Sequence, residues 1–577
     1  MPSLERRDLL TGAGALVAAR RLGVRLTVNA APAAAGAPFL WGVASFDPAA
    51  RSVLIWTRVA VPADGGPVRL RWVVAADEAL SGEVASGGIE VSSDNDHCAV
   101  VDATGLEPGR TWWYAFTTDE GDRSPVGRTR TLSEGAADRL RLGVVSCSRY
   151  ATAGFAAYRA LADREVDAVV HLGDYIYEDG ATGARAHEPA ARLVTLDDYR
   201  ARYAQHRTDP DLQMLHARHP MIAVWDDHEV AGNAWRDGAT GHDTTVDGPW
   251  LDRLLAAGRA HEEWLPGRTR WGDTDGRLQA WRSLSFGALA ELVVLDTRTW
   301  GRDEQPRTAP DVGGPPAGGA PGSSRSMLGE DQLAFVRRRL QPSDPSTRRP
   351  WVLLANQVMF HPLEVPVPFE SLTAAIEDAG FLVVDGHGLN PDQWDGYPQA
   401  REELAAAMGG DGGVVVLTGD VHSSWAWEGP ANDGGRPAMV ELVTPSISST
   451  SLADRLPLPA PSVEAALQGL SDDLSHVELS SHGYLVVDLD ADRVQAEWWY
   501  VVPDVAGSQR FGAGRSAPRE VPMHLTEVDQ PLRDPVPTTG TTIVPTTARA
   551  APSSANHEDS GVPLVLGAGA AAVTAAA

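Results

Sequence analysis

At 577 residues, with 43% apolar side chains and 18 tryptophans, the chain is too long for one ordinary hydrophobic core and too apolar to be disordered. Its 49 Lys and Arg stand against 77 Asp and Glu, a formal charge of -28. That balance excludes the basic stripe of a nucleic-acid-binding surface and suits the capture of cations.

Residues 1–37 read as a twin-arginine export signal. Arg6 and Arg7 precede a modest apolar run, with small residues continuing to about Ala37, although Glu5 stands where Ser or Thr is usual and Arg20-Arg21 interrupt the run. The expected partner is the twin-arginine export machinery, and the expected destination is secreted or cell-surface. Export of already folded protein fits a metal site assembled beforehand. Residues 38–133 carry short alternating runs (Ser52–Val59, Pro67–Val74, His97–Thr104, Thr111–Thr118, Gly127–Leu132) separated by Gly, Pro and Asp. Period-two alternation predicts a small antiparallel β-sandwich of immunoglobulin or fibronectin type.

From 138 to 505 the rhythm changes. Continuous apolar strands at 142–146, 168–172, 221–225, 291–295, 351–355 and 413–418 alternate with amphipathic stretches beginning at Tyr158, Leu196, Leu251, Glu330 and Arg401. Strands buried on both faces between helices predict an α/β layered domain. Runs from Gly483 and Val494 predict an antiparallel hairpin closing the sheet, and Gly301–Ser326 a long surface loop overhanging a site. A C-terminal extension covers 506–534. A Thr/Pro/Ser-rich spacer and apolar tail cover 535–577, with no charge from Gly561 onward. This tail reads either as a stalk tethered to cell wall or membrane or as an unstructured end.

Four apolar runs end in chemistry-bearing residues: Cys147, then Gly173-Asp174 with Tyr177, then Asp226-Asp227-His228-Glu229, then Asp420 and His422. Ligand sites form at the carboxyl ends of strands in α/β sheets, so these distant segments can converge. The set is similar to the motifs of calcineurin-like metallophosphoesterases, D-x-H, G-D-x-x-Y, G-N-H-E, V-x-x-H and G-H-x-H. Here Cys147 replaces the first aspartate, Asp227 the Asn, and Asp420 the first His of the last pair. With the export signal and the β-rich stretch in front, the chain resembles the PhoD-like alkaline phosphatases over about residues 38–505. Leu295–Arg298, Leu328–Gln332, Asn356-Gln357 and His482-Gly483-Tyr484 add to the likeness. The fold this implies is α/β, a four-layer αββα metallophosphoesterase sandwich preceded by a small all-β sandwich domain.

Thiolate, phenolate, imidazole and carboxylate together suit a hard yet thiophilic trivalent ion, with Cys147, Asp174, Tyr177 and His422 as donors to Fe(III). Asp174 can bridge to a second, oxygen-only site formed by Asp227, Asp420 and Asn356, a donor set for Ca2+, Mg2+ or Mn2+. The resemblance implies iron with calcium. Paired ions suit phosphoryl transfer, because they clamp phosphate oxygens and neutralise developing charge. His228 is the candidate proton donor to the leaving alkoxide, or else orients a carboxylate. Asn233 is a phosphate contact or a ligand. Arg149 and Arg298 are candidate phosphate binders through forked hydrogen bonds, or else surface salt-bridge partners. His361 completes a V-x-x-H string on the far side of Asn356-Gln357.

Cys98 and Cys147 are not expected to pair, since Cys147 lies among metal-type ligands. The expected function is an exported phosphatase, hydrolysing phosphomonoesters or phosphodiesters (phospholipid or teichoic-acid-type) by a binuclear mechanism for phosphate acquisition. Two rivals are a cell-surface binding protein that uses the β-sandwich and carries a degenerate metal domain, and a thiol hydrolase using Cys147.

Overall fold

The continuous apolar runs become the central strands of two mixed sheets. The computed structural model describes residues 38–503 and the short strands Gln509–Arg510 and Ser516–Val521, apart from residues 61–64, 184, 273–275, 317–323, 364, 367–376, 378–380, 385–386, 409–412, 430–438 and 457. The expected export signal, most of the expected C-terminal extension and the tail lie outside the described residues.

The first seven strands are β1 (Val43–Phe46), β2 (Ser52–Arg58), β3 (Val68–Ala75), β4 (Glu83–Val91), β5 (Cys98–Thr104), β6 (Thr111–Thr118) and β7 (Gly127–Arg130). They divide between two sheets. β4, β3, β6 and β7 form a four-stranded antiparallel sheet. β1, β2 and β5 instead extend a larger sheet in which β8 (Leu140–Val145), β9 (Ala168–His171) and β10 (Pro220–Ala223) run parallel. β1 pairs in parallel with β10, Ser45 opposite Pro220 and Phe46 opposite Met221. One hydrogen-bonded sheet therefore crosses the boundary drawn near residue 133.

The second sheet contains β11 (Arg282–Phe286), β12 (Ala290–Val294), β13 (Trp351–Ala355), β14 (Val414–Thr418), β15 (Ser424–Glu428), β16 (Val440–Val443) and β17 (Leu474–Glu478), in the order β11-β12-β13-β14-β16-β15-β17. β12, β13, β14 and β16 are mutually parallel. The hairpin strands β18 (His482–Leu489) and β19 (Val494–Pro503) pair antiparallel, and β18 lies beside β8 in the first sheet.

Alternation along the fully buried strands sends successive residues to different cores. Leu292, Val294, Leu353, Ala355, Val415 and Leu417 pack in one cluster with Leu142, Val144 and Val170 of the first sheet. Their neighbours Val293, Val352, Leu354, Val414 and Val416 pack in another with Val336, Leu340, Leu404 and Met408. The two sheets thus face each other, and helices cover the outer side of the second. Those helices are among α1 (Ala156–Ala162), α2 (Leu196–His206), α3 (Pro210–Arg218), α4 (Trp250–Trp264), α5 (Glu330–Leu340), α6 (Pro398–Met408) and α7 (Ala460–Leu470). α1, α2 and α3 contribute Leu161, Tyr203 and Leu215 to the same continuous cluster, with Leu161 against Gly143 of β8. The local signals are orthodox: Thr195 and Asp198 form a capping box on α2, and Asp209 caps α3 ahead of Pro210. The mixed sheets with their helices make an α/β fold.

Candidate metal centre

Each parallel strand that carries a motif stops two to four residues before the motif's side chains, and the chain then turns sharply. Cys147 follows β8, Asp174 follows β9, Asp227 follows β10, and Asp420 and His422 follow β14. Cys147 (φ 61°), Asp174 (φ 56°), Asn233 (φ 52°), Asp420 (φ 60°) and His422 (φ 53°) all adopt the left-handed backbone region. Non-glycine residues there cost conformational energy and persist where the surroundings over-determine them, which is common at working sites. Gly173 (φ 98°) admits a close approach of two motif loops: a Cβ on it would lie 2.4 Å from the backbone N of Asp226.

A first donor group forms at this junction. Ligating atoms of Cys147, Asp174 and His422, all buried, lie within 4.8 Å of one another. The Tyr177 hydroxyl donates to Asp174 Oδ2 at 2.9 Å and lies 3.3 Å from His422 Nε2 and 2.6 Å from Ser449 Oγ. His422 Nδ1 is engaged with Thr450 O at 2.8 Å, so Nε2 is the nitrogen turned to the group. Burial, with Asp174 adding to it, pushes the Cys147 thiol up; burial pushes His422 down to about 3. Cys147 and Cys98 are both unpaired and buried.

A second group is built from carboxylates. Asp174, Asp227 and His228 form one cluster within the same 4.8 Å limit, and Asp226, Asp227 and Asp420 another. One oxygen of each of three carboxylates is tied down and the other is left without a partner. Asp174 Oδ2 accepts from Tyr177, Asp226 Oδ1 from Arg298, and Asp227 Oδ2 from the Asn233 N–H at 2.5 Å. Asp174 Oδ1, Asp226 Oδ2 and Asp227 Oδ1 are buried with no hydrogen-bond partner. Burial raises the Asp174 and Asp226 carboxyls well above their usual range, and neighbouring carboxylates add to it. Asp227 goes the other way: burial opposes its ionisation, but Arg298, His228 and the Asn233 N–H hold it low. Orphaned buried oxygens in a crowd of negative charge fit a cation, and the all-oxygen donors fit a hard one. The thiol, phenol, imidazole and carboxylate next door fit a metal that accepts sulfur as well.

Comparison with known proteins accords with this geometry. Residues 142–498 match the family model of the PhoD-like phosphatases, and residues 26–133 match the model of that family's N-terminal domain. The chain belongs to the PhoD-like phosphatase family. It is 34% identical over 447 residues to alkaline phosphatase D of Bacillus subtilis (strain 168), covering 74% of this chain and 72% of that protein. It is also similar to a solved structure of PhoD, with a TM-score of 0.71 at 29% identity, covering 87% of this chain and 93% of that one.

In this PhoD-like site the remaining predicted residues take varied positions. His228 Nδ1 lies 2.6 Å from Glu178 Oε2, and its ring packs on Tyr177 with centroids 4.3 Å apart. Burial works against its proton, but Asp227, Glu178 and Asp174 hold it on well above the usual imidazole range. Asn233 is half-buried and anchors Asp227 through its backbone, while its carbonyl accepts from Gln305 Nε2 at 3.4 Å. Gln305 thereby brings the loop expected to overhang the site to its edge. Arg149 sits 5.2 Å from the Tyr177 ring centroid and pairs with Asp179.

Two expectations are corrected. Arg298 is not exposed to a substrate: it is fully buried behind the carboxylates, and its donors go to Asp226, Asp392 and Asp420. The Asn356 carboxamide is committed to protein partners on both its oxygen and its nitrogen. Its Oδ1 accepts from Trp394 Nε1 at 3.1 Å and its Nδ2 donates to Val358 O and to Thr418 Oγ1, so the carboxamide braces the turn after β13. His361 stacks on Trp427 at 4.1 Å and stands apart from the donor groups.

Several neighbours take parts that the motifs alone do not assign. Glu229 accepts from the N–H groups of Asp174, Tyr175 and Asp226, joining two motif loops. Glu178 fixes His228. The segment Thr444–Ser451 lies along the end of β8: Ser449 Oγ donates to Cys147 O at 2.9 Å while contacting Tyr177, and Thr450 holds His422. A Ser/Thr string carries no signal beyond that of a loop, so nothing in its composition pointed to the site.

Proposed function

We propose that the chain is an exported alkaline phosphatase that hydrolyses phosphomonoesters, phosphodiesters or both for phosphate acquisition, with phospholipid or teichoic-acid-type diesters among its substrates. The observation that carries this reading is the convergence of Cys147, Asp174, Tyr177 and His422 beside three orphaned carboxylate oxygens. Cys147, Asp174, Tyr177 and His422 would hold Fe(III), and Asp174, Asp226, Asp227 and Asp420 would hold Ca2+. Ions so held supply positive charge for clamping phosphate oxygens and neutralising charge that develops in displacement.

The protein's own residues supply the remainder. Glu178 occupies Nδ1 of His228 and favours its protonated form, leaving Nε2 as the nitrogen that donates a proton to the departing alkoxide. Arg149, half-buried beside Tyr177, offers N–H groups to phosphate oxygens. Asn233 fixes the Asp227 carboxylate through its backbone. A four-layer αββα arrangement with a β-rich N-terminal part is supported by the shared inter-sheet cluster and the separate four-stranded sheet. Twin-arginine export and a cell-surface destination rest on the Arg6-Arg7 signal region alone.

The test is hydrolysis of a chromogenic monoester and a chromogenic diester at alkaline pH, before and after EGTA and again with calcium restored. Loss and recovery of turnover are expected, with indifference to thiol alkylation because Cys147 is buried. Turnover untouched by EGTA but abolished by alkylation would turn the reading to a thiol hydrolase.

A further inference from the structure

The buried guanidinium of Arg298 bridges the two sheets at the carboxylate cluster. It projects from the turn after β12 and reaches Asp226 after β10 through Nε, Asp392 through Nη1 at 2.7 Å, and Asp420 after β14 through Nη2 at 3.0 Å. The same Nη2 stands 3.6 Å from Asp227 Oδ1, too far for a hydrogen bond. Arg298 thus occupies one oxygen of Asp226 and one of Asp420 while leaving Asp227 Oδ1 and Asp226 Oδ2 without a hydrogen bond.

Its own placement is enforced from behind. Asp392 Oδ1 accepts from Arg302 Nη2 at 2.6 Å, and Arg302 is itself fully buried. Gln393, the next residue, donates to the other oxygen of Asp420 at 2.6 Å and accepts from the Met359 N–H at 2.5 Å. Asp420 is therefore held on both oxygens by residues that are not ligands themselves. A planar fork presents its donors to carboxylates from separate loops at fixed angles and over a wider span than an ammonium, whose three donors radiate from one nitrogen on a flexible stem.

We propose that Arg298, locked by Asp392 and Arg302, is a positioning residue that turns the free oxygen of Asp226 toward the divalent ion and fixes the orientation of the Asp420 carboxylate beside it, and that it acts by the shape of its fork rather than by its charge alone. The inference rests on the divalent-site reading given above. Arg298 touches no substrate. It acts through the carboxylates, as the partners of metal ligands do elsewhere.

The test is calcium binding by titration calorimetry on iron-loaded, EGTA-washed protein, for wild type, Arg298→Lys and Asp392→Asn, with the visible absorption of the iron site and circular dichroism recorded alongside. Arg298→Lys keeps the charge and loses the fork; it is expected to weaken calcium binding roughly ten- to a hundredfold with absorption and dichroism unchanged. Asp392→Asn, which alters no site carboxylate, is expected to weaken binding in the same direction and by less. Arg298→Lys binding calcium like wild type would overturn the inference, since charge alone would then suffice. If Arg298→Lys fails to fold, Asp392→Asn decides: a folded variant with wild-type affinity overturns the inference equally. Wild-type protein that takes up no calcium sinks the divalent-site reading itself, and that outcome is distinct from the others.

Discussion

His228 is where electrostatics and chemistry meet at the scale of a residue. Its Nδ1 is committed to Glu178, and three carboxylates hold its proton on. A proton donor matters most when the leaving alkoxide is basic. His228→Asn should therefore slow hydrolysis of an alkyl phosphate by roughly a hundredfold or more and that of a nitrophenyl phosphate much less; equal losses on the two esters would contradict the assignment. The ligand types were legible in the sequence because each stands at the end of an apolar run. The role of Arg298 was not, because a lone arginine beside a motif looks the same whether it faces phosphate or is walled in by Asp226, Asp392 and Asp420. Only burial separates the two. Asn356 is a related case: it offered an oxygen donor just after an apolar run, and nothing in the chain announced that Trp394 would hydrogen-bond its carbonyl.

At the scale of elements, the parallel strands were legible almost to the residue because burial on both faces demands unbroken apolar runs. β12, β13 and β14 begin and end within a residue or so of the runs that foretold them. The edge strand β11, Arg-Ser-Leu-Ser-Phe, was missed because its polar alternation is weak evidence by itself. The membership of β1 was also hidden, since pairing across a sheet leaves no mark in local sequence. That pairing is backed by a buried ion pair: Arg282 of β11 donates to Asp47, just past β1, at 2.5 and 2.7 Å. Asp47→Ala leaves Arg282 buried without its counter-ion, and the expected loss is about 3–5 kcal/mol of stability. Urea unfolding measures it; a loss below about 1 kcal/mol, the ordinary value of an exposed pair, would show that the junction between β1 and the second sheet carries no load.

Across the whole molecule, several histidines are buried away from the site. Burial pushes His219 and His261 down to about 3, with nearby arginines adding to the effect. Both are neutral in the folded protein and take up protons near 6.5 when unfolded. The stability they permit is complete above that value and is lost as pH falls from about 6.5 toward 3. The double variant His219→Gln with His261→Gln should flatten the fall of the urea midpoint between alkaline buffer and about pH 5; an unchanged slope would contradict the argument.

The central claim is that Cys147, Asp174, Tyr177 and His422 form an iron site. Visible absorption of the purified protein, with metal content determined on the same sample, tests it most directly. A phenolate bound to Fe(III) absorbs in the visible, so wild-type protein should be coloured and contain iron. Tyr177→Phe, which removes only the hydroxyl from a buried ring, should lose the phenolate part of the absorption and leave the part due to the Cys147 thiolate. An iron-free, colourless wild type, or a spectrum left unchanged by Tyr177→Phe, would contradict the account.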